Sequence, residues 1–260
     1  MNNLAKLFQI QSRVIYALIM RELHTRFGRE NLGFLWFVGE PILFCAGVAI
    51  VWTAIRPSHE YGLPMTAIVI TGYVPLTMWR HCLARSVSAY RSNGSLMFHR
   101  QVTPLDIILN RMILEIIGTI IAGIIVAIGA ILLGYMNPPK TYGILYLGIF
   151  FQSIFCIASG LIIASLSEMS DLVEKALSIV SYLSLPLSGA FTMVDWISPR
   201  YQWILLSSPS VESVEMIRDG QFGHIAHAHY NIVFTAWIDF FLLLIGLWAT
   251  LRVRNHITIE

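Results

Sequence analysis

Charge is what this sequence has least of. Only 12% of its 260 residues are Asp, Glu, Lys or Arg, about half of the ~25% that soluble domains carry. A surface facing water cannot be built from so few charges without leaving large apolar patches, so a soluble globular domain is excluded. Cysteine is scarce as well. Cys45, Cys82 and Cys156 lie far apart, in or beside apolar runs, which makes neither a disulfide framework nor a CxxC metal site; they read as small apolar fillers. No GxxxxGK[ST] phosphate loop is present, so the chain does not itself hold a nucleoside triphosphate in that way. HExxH, GxSxG and spaced Cys/His sets are also missing, so no catalytic residue and no metal ligand is assigned. The histidines His59, His224, His227 and His229 include a His-x-His pair, but no carboxylate or third ligand adjoins it and a solvated loop is the expected reading. A net charge of +2 gives no footing to a nucleic-acid partner. Lys6, Arg13 and Arg21 interrupt the N-terminal region before any signal-like apolar core, so the mature chain is expected to start at Met1.

What is abundant is apolar sequence: 56% of the residues are hydrophobic and the mean hydropathy is +0.68. A helix needs about 20 apolar residues to cross a bilayer, because lipid cannot hydrogen-bond an open backbone. Six runs qualify, at Phe34–Ile55, Leu63–Leu83, Met112–Leu133, Ile144–Leu166, Ala176–Val194 and Asn231–Leu251. The second contains Gly72 and Pro75, which membrane helices tolerate. The expected fold is an all-α integral membrane protein of six transmembrane helices. Residues 1–33 form an N-terminal interface segment and 34–260 the membrane domain.

Basic residues orient it. With the N-terminus in the cytoplasm, thirteen of the 17 Lys and Arg residues fall inside, leaving Arg56, Lys140, Arg200 and Arg218 outside. That bias puts both termini in the cytoplasm. Ahead of the first run, Leu4, Leu7, Phe8, Val14, Ile15, Leu18 and Ile19 share one helical face, with Lys6, Gln9, Arg13 and His24 opposite, the pattern of a helix lying in the membrane surface.

The long connections hold the remaining signals. The inner one, Ala84–Arg111, carries the turn Ser92-Asn93-Gly94-Ser95 and then Leu96-Met97-Phe98-His99-Arg100. The outer one, Asp195–Tyr230, contains two helix-length segments, Pro199–Leu206 and Pro209–Asp219, both too short to span. Ser208 as N-cap, Pro209 at the first position, Glu212 in the first turn and Gly220 as terminator punctuate the second. Three carboxylates sit in apolar surroundings, where charge is costly and functional. Glu40 adjoins Pro41, Glu115 is one helical turn from Arg111 and can pair with it, and Asp239 lies mid-run with no basic residue near it on its helix. For Glu40 and Asp239 a helix–helix hydrogen bond and a pathway-lining role remain equally open. Ser178, Ser181, Ser184 and Ser188 recur along the fifth run, a spacing that suits close helix packing and also a pathway for a hydroxyl-rich substrate.

Arg21-Glu22-Leu23-His24-Thr25-Arg26-Phe27-Gly28, followed by Leu32-Gly33-Phe34-Leu35-Trp36 and Glu40-Pro41, resembles the opening of the permease subunits of bacterial ABC polysaccharide exporters. The stretch Ser207–Gly220 is similar to the external hairpin of their capsule-export branch, with Ser208-Pro209 where Asn-Pro is usual. The resemblance, nearer to capsule exporters than to O-antigen or teichoic acid ones, implies a homodimer in the bacterial inner membrane, moving a lipid-linked polysaccharide. ATP and Mg would be bound by two separate ATPase subunits. A periplasmic co-polymerase or adaptor and an outer-membrane channel would continue the path.

It also implies roles for residues. Arg21, Glu22 and Arg26 in the surface helix, with Arg91, Leu96, Met97, Phe98 and Arg100 after the second run, would meet the ATPase. An apolar triplet between basic residues also suits insertion in a partner's groove. Trp36, Phe37, Glu40, Ser181, Ser184 and Ser188 would line the substrate pathway. Trp196, Tyr201, Trp203, Glu212, Glu215 and Arg218 would form an external gate in a re-entrant hairpin. Two other classes stand against this. An ion-coupled secondary transporter would use midplane ionisable groups and inverted repeats; Asp239 fits and no repeat is visible. A membrane-bound transferase would need clustered carboxylates or a metal set, which the sequence does not offer.

Overall fold

The structure is a computed structural model and describes residues 2–27, 39, 42–44, 47, 51, 59–60, 62–97 and 102–253. Most of the expected first span, with Trp36, Phe37 and Glu40, lies outside the described residues. So do Phe98, Arg100 and the side chain of Arg26.

Helix α1 (Asn2–Phe27) leads. A two-residue hairpin, β1 (His59–Glu60) with β2 (Leu63–Pro64), turns at Gly62 and runs straight into α2 (Met65–Ser86). A single turn, α3 (Gly94–Met97), precedes the long helices α4 (Pro104–Leu132) and α5 (Tyr142–Met169). Then come α6 (Leu172–Leu187), the short pair α7 (Pro199–Leu206) and α8 (Pro209–Phe222), and α9 (Ile232–Val253). Among the described residues, three helices are long and apolar enough to cross a membrane: α4, α5 and α9.

The packing is that of a protein whose solvent is lipid. In α9 the buried stripe is Thr235, Asp239, Gly246, Thr250 and Val253, while Trp237, Phe240, Phe241, Leu244, Ile245 and Trp248 point outward. Lipid tails welcome those rings, and the interior takes small and hydroxyl residues that let helices approach closely. Helix α2 is the reverse case. It is less apolar along its length yet buried on nearly every side. Its first half (Met65–Leu76) joins Val126, Ala190, Met193 and Phe222 in one core cluster. Its second half (Met78, Cys82) joins Met112, Cys156 and Leu161 in another. Pro75 inside α2 accepts from Gln152 Nε2 of α5 at 3.1 Å through its carbonyl, a polar tie between the two helices.

Helix boundaries differ from the sequence expectation in three places. α4 starts eight residues before Met112, because Thr103 and Asp106 form a capping box around Pro104 that satisfies the first free N–H groups. α6 stops at Leu187, well short of Val194: Gly189 adopts φ +65° and folds the chain inward to bury Ala190, Met193 and Val194. α8 runs through Gly220 and ends at Gly223, whose φ is +63°. Gly220 is a packing residue instead, since a Cβ there would lie 2.5 Å from the backbone nitrogen of Leu145. The absence of that Cβ is what lets α8 lie against α5.

Candidate functional site

Two polar assemblies occupy opposite ends of the bundle. At the α1 end, Val14, Ile15 and Leu18 turn toward the protein and α1 packs on α4, with Gln11 hydrogen-bonded to Asp106. From α1, Arg21 reaches Asn93 Oδ1 at 3.4 Å and Glu22 meets Arg111 at 3.9 Å. Arg111 also donates to the Arg85 carbonyl and the Ser92 hydroxyl, at 3.0 and 2.9 Å. The buried Glu115 meets Arg85 at 3.2 Å and His81 at 3.8 Å, both from α2.

Arg91 extends the network across the molecule. It meets Glu168 at the end of α5 at 3.6 Å and Asp171 at 2.9 Å, and Asp171 is the N-cap residue of α6. The hydrogen bond to Asp171, then the Glu168 charge, raise the Arg91 pKa above its usual value. Of the residues expected to couple, Arg21 and Glu22 are thus joined through Asn93, Ser92 and Arg111, and Arg91, next to Ser92 in the chain, ties the same segment to Glu168 and Asp171. Leu96 and Met97 are half-buried, and Met97 packs against the second core cluster. The expected exposed knob is therefore partly part of the fold.

At the other end, the expected gate residues divide into two sets. Tyr201 and Trp203 on α7 are 53% and 67% exposed, and Trp196 is half-buried against the first core cluster. Glu212, Glu215 and Arg218 on α8 are buried. Arg218 donates to Glu215 at 3.2 Å and to the carbonyls of Thr192 and Ala190, each at 3.0 Å. Glu215 accepts from the backbone N–H of Val194 at 3.4 Å and of His229 at 3.2 Å. Glu212 accepts from the Asn231 N–H. Tyr230 donates to Asp219 at 2.7 Å; burial and that carboxylate push its hydroxyl up to about 12. Every charged group of α8 named here holds chain outside α8.

Between the ends, Ser181 and Ser184 are half-buried on α6 and Ser188 is buried just past its end. Ser184 and Ser188 donate to carbonyls of their own segment and line a cavity of about 370 Å³ between α2, α5, α6 and the α7–α8 turn. Asp239 is 1% exposed, and neither carboxylate oxygen has a hydrogen-bond partner among the described residues. No group of three or more His, Cys, Asp or Glu side chains among the described residues is placed to hold a metal.

Residues 13–222 match the family model described as ABC-2 type transporter. The chain belongs to this family. Among curated ABC-2 relatives, the capsule polysaccharide export inner-membrane protein BexB of Haemophilus influenzae is 38% identical over 238 residues, covering 92% of this chain and 90% of the relative. CtrC of Neisseria meningitidis serogroup B, with the same description, is also 38% identical over 238 residues with the same coverage. The polysialic acid transport protein KpsM of Escherichia coli is 24% identical over 260 residues, covering 96% of each chain. The family match begins within α1 and ends with α8, so it takes in Arg21, Glu22, Arg91, Glu215 and Arg218, while His229, Tyr230 and Asn231 lie beyond it.

Sequence reasoning did not find Asn93, Glu168 and Asp171, which complete the network at the α1 end. Arg91 and Asp171 are 80 residues apart, and no local periodicity links them. Asp106 carried a readable signal: Thr-Pro-x-Asp ahead of an apolar run is a capping-box pattern.

Proposed function

We propose that the chain is the membrane permease of an ATP-driven exporter that moves a capsular polysaccharide across a bacterial inner membrane. The observation that carries this reading is the likeness, over 92% of the chain, to inner-membrane proteins named for capsule polysaccharide export. ATP and Mg are held by a separate ATPase subunit, since the sequence has no phosphate loop. The network built on Arg21, Glu22 and Arg91 is the face on which that subunit acts. It lies on the cytoplasmic side, where the basic residues concentrate.

Six spans complete the topology. α2, at 22 residues, is about 33 Å long at 1.5 Å per residue. α6 has 16 residues, about 24 Å, and the inward turn at Gly189 closes the remaining depth with α7 and α8 as the re-entrant hairpin. A second copy of the chain supplies the other wall of the conduit. Supporting this, α6 buries only Leu177 among its residues and leaves Ile179, Val180, Tyr182, Leu183 and Leu187 uncovered.

The test is joint purification. Expressed with a capsule-export ATPase subunit from the same organism, the chain should copurify as a complex whose ATP hydrolysis needs both proteins, and its deletion should leave finished polymer inside the cell. A chain that never associates with an ATPase, or transport that survives ATP depletion and follows the proton gradient, would overturn the reading in favour of ion coupling through Asp239.

A further inference from the structure

The cavity beside α6 has walls of two kinds. On one side Trp79 of α2 and Phe155 of α5 lie with ring centroids 6.1 Å apart and planes 21° from parallel. The same cavity is lined by serines from three segments: Ser184 and Ser188 at the end of α6, Ser207 after α7, and Ser208 and Ser210 at the start of α8. Ser184, Ser188 and Ser207 already donate to nearby carbonyls, so each presents acceptor lone pairs. The Ser208 hydroxyl caps nothing, and neither it nor Ser210 has a hydrogen-bond partner among the described residues. Both are free to donate and accept. Among the described residues the remaining lining is aliphatic and carries no charge.

This combination selects among ligands. A phosphate or carboxylate headgroup needs cationic or multiple N–H donors, and the described lining residues offer no cation. An acyl chain fits the aliphatic wall but would cover the unpartnered hydroxyls of Ser208 and Ser210 without satisfying them, a cost with no return. A pyranose ring matches both walls, with an apolar C–H face for the rings and equatorial hydroxyls for the serine rim. At about 370 Å³ the space is at the lower end of the roughly 300–1,000 Å³ typical of small-ligand sites.

We infer that this cavity is a binding subsite for a single uncharged pyranose unit, with Trp79 as the stacking platform and Ser208 and Ser210 as the groups that read its hydroxyls. It deepens the export reading by naming which part of the polymer the chain grips, and it rests on that reading for its biological meaning. Its binding chemistry is testable without transport.

The full chain, with Cys45, Cys82 and Cys156 replaced by alanine, is reconstituted in lipid nanodiscs carrying one reporter at an aliphatic lining position, Ile204→Cys on α7 or Val180→Cys on α6. The rate of alkylation by N-ethylmaleimide is followed with methyl β-glucopyranoside, sodium glucuronate or decanol added. At four times the midpoint of its protection curve, the neutral glycoside should slow alkylation of both reporters about fivefold, the effect of ~80% occupancy. Glucuronate should protect far less. Adding Trp79→Ala should abolish protection and Trp79→Phe should retain it. Protection by decanol and not by the glycoside would make this an acyl pocket and overturn the inference. Absence of protection by any probe at either reporter would also overturn it. If protection holds while the complex proves to have no ATPase partner, the export reading falls and the saccharide subsite stands. If export holds and protection fails, only the subsite falls.

Discussion

Arg218 and Glu215, one helical turn apart on α8, meet at 3.2 Å with no exposure of either side chain. The remaining hydrogen bonds of both go to backbone far along the chain, Arg218 to residues 190 and 192 and Glu215 to residues 194 and 229. The pair therefore joins the exit of α6 to the entry of α9 through a helix that belongs to neither. Breaking one partner of such a pair leaves a buried uncompensated charge, which costs about 3–5 kcal/mol. Glu215→Ala should lower the thermal unfolding midpoint of the detergent-solubilised protein markedly. Glu215→Gln, which keeps an acceptor, should fall between it and the parent. An unchanged midpoint in the alanine variant would show that the pair does not hold the hairpin.

Coupling should run through Arg91. Exposed pairs of this kind add little to stability, so Arg91→Ala and Asp171→Asn are expected to fold and bind the ATPase. Losing the link between the segment after α2 and the start of α6 should separate hydrolysis from export, with ATPase activity retained and polymer export reduced several-fold. Export and hydrolysis falling in parallel would argue instead that Arg91 contacts the ATPase directly.

Topology is expected to follow the basic residues. In a cysteine-free background, cysteines placed at Lys140 and His227 should react with a membrane-impermeant thiol reagent on intact spheroplasts, and one at Arg91 should react only after permeabilisation. The opposite pattern would invert the arrangement.

Asp239 sits in the buried stripe of α9 without a hydrogen-bond partner among the described residues. A carboxyl so placed is tolerated far better in its neutral form, and an amide reproduces that form. Asp239→Asn should keep normal protein levels and most export, and Asp239→Leu should do worse in both. Complete loss of transport in the asparagine variant at normal abundance would point to an obligatory charge and to ion coupling.

Tyr230 gives a pH signature at the opposite end. Burial and the Asp219 carboxylate hold its hydroxyl proton up to about 12, above the usual ~10 of a free tyrosine. Because the folded value is the higher one, the interaction contributes fully below pH ~10 and is lost as pH rises toward 12. In the tyrosinate absorbance of the folded protein, Tyr230→Phe should remove one late-titrating group, near pH 12. An ordinary Tyr230 titration would mean that the Asp219 contact is not made.

Much of the architecture was legible because the signals were local. Pro199 and Pro209 at first helical positions fix where α7 and α8 begin, and the outward Trp and Phe residues of α9 announce a lipid-facing helix. Errors came where a residue serves the tertiary structure in place of its own segment. Gly220 has the look of a terminator and is in fact the crossing point with α5. The Ala190–Val194 stretch is apolar enough to continue a span and is instead drawn in by Gly189 and by Arg218. The network at the α1 end was half visible. Its basic members stand out in an apolar sequence, but Glu168 and Asp171 become partners of Arg91 only through the packing of α2 against α5.

The fastening of α8 has a bearing on how the protein is made. Residues reach the membrane in chain order, so Arg218 finds the carbonyls of Ala190 and Thr192 already synthesised. Glu212 and Glu215 must wait for Asn231 and His229, which emerge later. Until the start of α9 has left the ribosome, Glu212 lacks the Asn231 N–H and Glu215 has only Arg218 and Val194. Completion of the last helix thus acts as the latch on an earlier segment. Nascent chains cut short before residue 229 would present unfinished polar groups to the membrane proteases that clear misassembled proteins.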